Sequence, residues 1–206
     1  MYSKSLETFK KDTVNHALKI IKDDGVYRHV SFDDGSSIYA IKIVTWPGYL
    51  AVTGDMGEYL FARKNDMFSF FRAKKINPSY WGEKLKAEPN RSQQGKRWTA
   101  DAFRSCVNDY LKNNLDPIET LDDEEDIEIN TEIRGAIDEA IKEIDHEEEA
   151  NEWVLNFECN DFQLESFYEY DCKEFTEQYL WICHAIIEVI KRYDEIKATE
   201  AADQRE

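Results

Sequence analysis

Cysteine is scarce and unpaired in this sequence: Cys106, Cys159, Cys172 and Cys183 form no C-x-x-C pair. The N-terminal stretch carries no apolar leader, so nothing points to a secreted disulfide scaffold. The thiols read as buried, reduced cysteines of a cytosolic protein. Long apolar runs are missing too. The longest, Tyr179 to Ile190, is interrupted by His184 and Glu188 and falls far short of the ~20 residues a membrane span needs. Histidine is too sparse to build a site. His146-Glu147-Glu148-Glu149 lacks the second histidine of H-E-x-x-H. Cys183 and His184 are adjacent, so on a helix they diverge by about 100° and do not make a catalytic pair. His16 and His29 could face each other across a first hairpin and bind a metal, but without H-x-H or C-x-x-C spacing the pair reads as polar strand surface. Phosphate-loop and dinucleotide signatures are absent. The residues therefore call for no cofactor and no metal, and they favour a binding protein over an enzyme.

What is present is charge, and it sits in one place. The chain carries −17 overall, and residues 116–152 alone carry −15, with 17 Asp/Glu against Arg134 and Lys142. A field of that sign opposes non-specific binding to nucleic acid or an anionic membrane and favours a basic partner. Much of the charge lies on an expected helix. Ile133, Ile137, Ala140, Ile141 and Ile144 mark its apolar stripe, and Asp138, Glu139, Glu143, Asp145, Glu147, Glu148, Glu149 and Glu152 lie off it. A helix rises ~1.5 Å per residue and duplex DNA presents one charge per ~1.7 Å. Carboxylates at every second or third residue thus draw a sparser version of the same line. These eight residues are the candidate partner-binding set.

The fold reads as α+β: an antiparallel β meander of about five strands, followed by helices packing on one face. Turns punctuate the first third at Asp24-Gly25, Asp34-Gly35, Trp46-Pro47-Gly48 and Gly54-Asp55-Met56-Gly57. Strands are expected near 16–22, 26–33, 37–45, 49–54 and 58–63, although 5–22 also reads as a helix. Val26, Val30 and Phe32 should share one face, as should Tyr39, Ile41 and Ile43. Asp66, Asn77-Pro78 and Thr99 start helices, and Trp81 and Leu85 should lie one helical turn apart. The stretch 116–130 reads as an extended acidic linker, with Asn130 or Thr131 capping the helix after it. That helix would end in three glutamates, where its dipole favours cations, unless it runs on through Trp153. A last helix spans about 172–197. The organisation expected is 1–115 as meander and short helices, 116–152 as acidic linker and helix, and 153–206 returning to the same core, one domain overall.

Two other segments invite functional readings. Residues 72–104 hold nine Lys/Arg (Arg72, Lys74, Lys75, Lys84, Lys86, Arg91, Lys96, Arg97, Arg104) with Tyr80, Trp81 and Trp98 interleaved. That mixture is suited to phosphate contacts and base stacking, and the alternative reading is a nucleic-acid-binding module. A second alternative is an enzyme without a recognisable motif, sited near Trp46, Asp55 and Asp66. The Gly54–Gly57 stretch has the spacing of an RNA-binding G-x-x-G loop, but strands rather than helices flank it, so it reads as a hairpin turn.

The stretches Asp23-Asp24-Gly25-Val26-Tyr27-Arg28-His29, Thr45-Trp46-Pro47-Gly48, Gly54-Asp55-Met56-Gly57 and Asp66-Met67-Phe68-Ser69-Phe70-Phe71 together carry a resemblance. It continues in Tyr179-Leu180-Trp181-Ile182-Cys183-His184-Ala185-Ile186 and Arg192-Tyr193-Asp194. The chain resembles an uncharacterised family carried by bacteriophages and prophages, over roughly 16–85 and 170–195 but not the acidic middle. The family has no assigned activity, so no catalytic residue transfers. The resemblance implies a small accessory protein of a mobile element, at work in the cytoplasm of a bacterial host, on host machinery or host defences. Combined with the charge, the expectation is a non-enzymatic inhibitor of a basic, nucleic-acid-handling host or defence protein, acting by acidic charge mimicry.

Overall fold

In a computed structural model, which describes residues 2–89 and 92–203, the protein is α+β as expected. The chain divides into two compact units, Met1–Lys96 with Phe175–Glu206, and Arg97–Glu174. The divisions expected at 115/116 and 152/153 both fall inside the second unit.

The first unit opens with helix α1 (Ser3–Asp12), followed by the strands β1 (Ala17–Asp24), β2 (Tyr27–Asp33), β3 (Ile41–Trp46), β4 (Tyr49–Gly54) and β5 (Tyr59–Ala62). The ambiguity over 5–22 thus resolves into helix first and strand second. Phe9 is the buried residue of α1, and Lys10 and Lys11 sit in its last turn, where the dipole favours cations. The five strands pair in sequence order, all antiparallel. A sixth, β6 (Leu85–Ala87), adds to the far edge beside β5, with Phe61 opposite Leu85. The expectation that Leu85 follows Trp81 on a helix is therefore corrected. Helix α3 (Pro78–Gly82) lasts five residues, and the chain leaves it as a strand. Three residues are too short a run to show a period of two.

Strand β3 begins at Ile41 rather than 37, because local hydrogen bonds hold the preceding residues in a turn. Asp33 Oδ1 accepts from Gly35 N at 3.0 Å, and Asp34 Oδ1 accepts from Ser36 N at 3.0 Å. The Gly54–Gly57 turn joins β4 to β5, and Gly57 N donates to Gly54 O at 3.1 Å. Gly54 is required there: at φ +152° a side chain would be strained, and its Cβ would strike the Ala40 carbonyl oxygen.

The inner face of the sheet carries Val30, Phe32, Ile41, Ile43, Leu50, Val52, Tyr59 and Phe61, all buried. Arg28 shares the inward parity of Val30 and Phe32, which hydrophobic alternation did not flag. The helices α2 (Met67–Phe71) and α3 and the long α7 (Glu177–Asp203) complete this core. Asp66 and Asn77 cap α2 and α3 as expected, accepting from Phe68 N and Tyr80 N. On α7, Ile182, Ile186 and Ile190 lie in the core. So does every residue from Trp181 to Ile186, because α1 covers the side turned away from the sheet. His184 is buried with its neighbours. It is 8% exposed, its Nε2 lies 3.1 Å from Ser5 Oγ, and burial holds its pKa below the usual histidine value.

The second unit is built on α4 (Ala100–Asn114), α5 (Glu124–Glu143) and α6 (Glu147–Asn156), with a small hairpin of Glu158–Cys159 against Phe162–Gln163. Thr99 caps α4 as expected, accepting from Ala102 N. Phe103, Val107, Tyr110 and Leu111 of α4 pack with Ile133, Ile137 and Ile141 of α5 and with Leu164 and Phe167. The expected linker over 116–130 is corrected, since α5 begins at Glu124, seven residues before Thr131. Asp123 is its cap, accepting from Glu125 N at 2.9 Å. Glu124, Glu125 and Asp126 then fill the first turn, where carboxylates are stabilised by the dipole. The charge run that suggested repulsion is locally a helix-start signal. Asn130 is not a cap but a buried strut. Its Nδ2 donates to Asp116 O at 3.0 Å, and its Oδ1 accepts from Arg134 Nε at 2.7 Å.

The mismatch expected between three glutamates and a helix C-terminus disappears. Helix α5 ends at Glu143 and α6 starts at Glu147, so Glu147, Glu148 and Glu149 occupy a first turn. Cys183 is buried as expected, whereas Cys106, Cys159 and Cys172 are half-buried.

Candidate partner-binding face

Every one of the eight candidate carboxylates is exposed. Asp138, Glu139 and Glu143 lie on α5, Asp145 in the break between helices, and Glu147, Glu148, Glu149 and Glu152 on α6. The stripe beneath them is buried at Ile133, Ile137, Ile141 and Ile144, so the side chains that fix the helix and those that carry charge are different residues. Among the described residues Asp145 is the only one of the eight in an ion pair, at 3.3 Å from Arg104.

The segregation of charge is sharper by unit than by segment. The second unit, Arg97–Glu174, contains 25 Asp/Glu against six Lys/Arg, a net of −19. The first contains 18 against 20, a net of +2. Helix α5 alone bears eight exposed carboxylates on 20 residues. At ~1.5 Å per residue that is roughly one per 4 Å, close to the ~3.4 Å between charges along one DNA strand.

Two of the six cations of this unit, Arg104 and Arg134, are committed to backbone carbonyls. Arg104 Nε donates to Ile141 O at 2.9 Å, and its Nη2 donates to Lys142 O at 3.1 Å and Ile144 O at 3.2 Å. These carbonyls belong to the last turn of α5, whose terminus Arg104 thereby closes. Arg134 donates to Asn130 Oδ1 and to the carbonyls of Leu115 and Asp116. Sequence reasoning missed both roles. An arginine beside a helix end gives no sign in the sequence that it serves a carbonyl on another element.

The basic segment 72–104 does not form one surface within either unit. Residues 72–96 belong to the first unit and 97–104 to the second. Arg91 lies outside the described residues. Arg72 forms a bidentate pair with Asp194 at 2.7 and 2.9 Å, and Lys84 pairs with Glu83 at 2.8 Å. Trp81 is 3% exposed in the first core, and Trp98 is half-buried against Phe103. Of the three aromatic residues expected to stack on bases, Trp81 is therefore packed inside and Trp98 is partly covered.

Trp46, Asp55 and Asp66 are not brought together as a site. Trp46 stacks on Tyr49 at one end of the β3–β4 hairpin, with ring centres 5.3 Å apart. Asp55 sits at the other end, where its Oδ2 accepts from Tyr39 N at 2.9 Å. Asp66 is occupied by its cap and by Arg28 Nη1 at 2.9 Å. Burial opposes its ionisation, but the Arg28 guanidinium and the helix amides prevail and hold its carboxyl below the usual range.

His16 and His29 are not opposite each other. Lys22 faces His29, and His16 precedes β1, buried against Phe32. Among the described residues no group of three or more His, Cys, Asp or Glu is placed to hold a metal ion, and no helix is long and apolar enough to cross a membrane. Comparison with protein-family models, with curated proteins and with solved structures finds no match.

Proposed function

We propose that this chain is a phage-type accessory protein that binds a basic, nucleic-acid-handling host or defence protein through its acidic unit, and inhibits it by occupying the surface that binds nucleic acid. The observation that carries this reading is the segregation of −19 onto Arg97–Glu174, with the carboxylates exposed on packed helices. A solubilising tail would not need such a scaffold. Here an isoleucine stripe and two backbone-capping arginines hold the charges in place. Rigid charge costs less entropy to dock than a flexible acidic run, and it steers a cationic partner from a distance.

The test is competition. The full chain, immobilised, should capture basic proteins from a bacterial lysate, and duplex DNA should release them. The captured protein, purified, should lose DNA binding when the free chain is added. A variant carrying Asp138→Asn, Glu139→Gln, Glu143→Gln, Glu147→Gln and Glu148→Gln should do neither. If that folded variant captures the same protein and blocks its DNA binding equally well, the reading is wrong.

A further inference from the structure

Two cavities of the first unit adjoin along α7. One, of about 730 Å³, lies between α1, residues 74–76 and α7. Its apolar lining includes Leu6, Phe9, Ile76 and Ile187, and lysines stand around it. The other, of about 770 Å³, continues toward the C-terminal end of α7 over Ile187, Ile190 and Ala198. The two share Lys74, Ile187 and Lys191, so they form one groove.

The two ends differ in charge. The first cavity has five cations, Lys10, Lys74, Lys75, Lys191 and Arg192, against the single carboxylate of Glu188. Arg192 is committed, to Glu188 at 2.7 Å and to the His16 carbonyl at 2.6 Å. Lys191 reaches Glu195 only at 3.8 Å. Lys10, Lys74 and Lys75 are in no ion pair among the described residues. At the far end Arg72 and Asp194 neutralise each other as a bidentate pair, and the carboxylate of Glu195 stands at the rim facing Lys191, so no excess of cations surrounds the apolar floor of Ile187, Ile190 and Ala198. Clustered lysines without counter-charges repel one another, and an anion placed among them relieves that repulsion. Each cavity alone falls within the ~300–1,000 Å³ of small-molecule sites.

We propose that this groove binds a single-chain amphiphile with an anionic head. The carboxylate or phosphate of the ligand is held by Lys10, Lys74 and Lys75, and its alkyl chain lies along Ile187, Ile190 and Ala198. From Ile187 to Ala198 the helix advances about 16 Å, a length suited to a medium or long acyl chain. The head chemistry is shared by free fatty acids and by anionic lipids, and the two sources separate experimentally.

The probe is laurate, titrated into the full chain below its micellar concentration and followed by calorimetry. Saturable binding at one site per chain is expected. Each buried methylene strengthens binding by about fourfold, so decanoate, two methylenes shorter, should bind roughly fifteenfold more weakly. Dodecanol, which lacks the anion, and inorganic phosphate, which lacks the chain, should each lose at least about tenfold. Lys74→Glu with Lys75→Glu changes two exposed residues. It should weaken laurate by about tenfold or more with an unchanged melting temperature. Ala198→Trp, at the distal end, should weaken laurate more than decanoate. Co-sedimentation with phosphatidylglycerol vesicles that the lysine variant abolishes would assign the ligand to a membrane lipid. Laurate binding without co-sedimentation would assign it to a free acid. The proposal is overturned if neither laurate nor vesicles bind. It is equally overturned if dodecanol binds as well as laurate, or if the lysine variant binds like the parent.

Discussion

Arg104 on α4 donates from Nε to the carbonyl oxygen of Ile141 on α5 at 2.9 Å, and the same side chain reaches two further carbonyls in that terminus. Charge-assisted bonds of this kind contribute about 1.5–3 kcal/mol each when well buried. The side chain is 28% exposed, so solvent reduces that figure. Arg104→Ala should destabilise the protein by about 2 kcal/mol, and Arg104→Lys should recover little of it, because an ammonium does not span three carbonyls. Urea denaturation followed by far-ultraviolet circular dichroism measures both. Equal midpoints for parent and Arg104→Ala would mean that α5 does not depend on this cap.

Ile186 is fully buried in the first core, with Ile182 and Ile190 on the same face of α7. Ile186→Ala removes buried methylenes and leaves a cavity, at a cost of about 2–5 kcal/mol. A fall in the denaturant midpoint with an unchanged slope is expected. A variant that unfolds with the parent would place this face outside the core.

The sheet and the caps were legible in the sequence because their signals are local. Turn residues set the ends of β1 to β5, and Asp66, Asn77 and Thr99 announced the helices that they cap. The stripe Ile133/Ile137/Ile141/Ile144 was legible from its period. What failed was the reading of charge. A run of acidic residues repels itself as an extended chain, but Asp123 to Asp126 is also a cap followed by a first turn, and burial of Ile133 beyond it decides between the two. The same ambiguity misplaced Glu147–Glu149, which look wrong at one helix end and are right at the start of the next. The groove along α7 had no trace in the sequence, since Lys10, Lys74 and Lys191 are far apart in the chain. The eight carboxylates were found as exposed residues, while the two arginines that brace their helix were not.

Acid should expose the Arg28–Asp66 pair. Asp66 is held below its ordinary value by Arg28 and by the helix amides, against the opposing effect of burial. A carboxyl with a depressed folded-state pKa contributes stability above its unfolded value, near 3.8, and loses it as pH falls through the folded value. Asp66→Asn keeps a capping side chain but removes the charge facing Arg28. It should lower the urea midpoint at pH 7, and the gap to the parent should narrow steadily below about pH 4. A gap that stays constant down to pH 2 would show that ionisation of Asp66 is not the source of the difference.

The charge on α5 and α6 should separate fold from binding. Asp138, Glu139, Glu143, Glu147 and Glu148 are exposed, and none of them is in an ion pair among the described residues. Neutralising all five with Asn or Gln should leave the circular dichroism spectrum unchanged. It should hold or slightly raise the thermal midpoint, because like charges on neighbouring turns repel. Glu147 and Glu148 also favour the dipole at the start of α6, which works the other way by a few tenths of a kcal/mol each; the net change is expected to be small. Binding should respond differently. For the parent, affinity for the captured partner should fall steeply between 0.01 M and 0.15 M salt, as the Debye length shrinks from ~30 Å to ~8 Å. For the neutralised variant the same plot should be weaker at every salt and much flatter, with the loss concentrated in the association rate, since steering is what distant charge supplies. Surface plasmon resonance across a salt series reads both quantities. Parallel plots for the two proteins would show that these five carboxylates do not carry the interaction and that charge mimicry by this face is wrong.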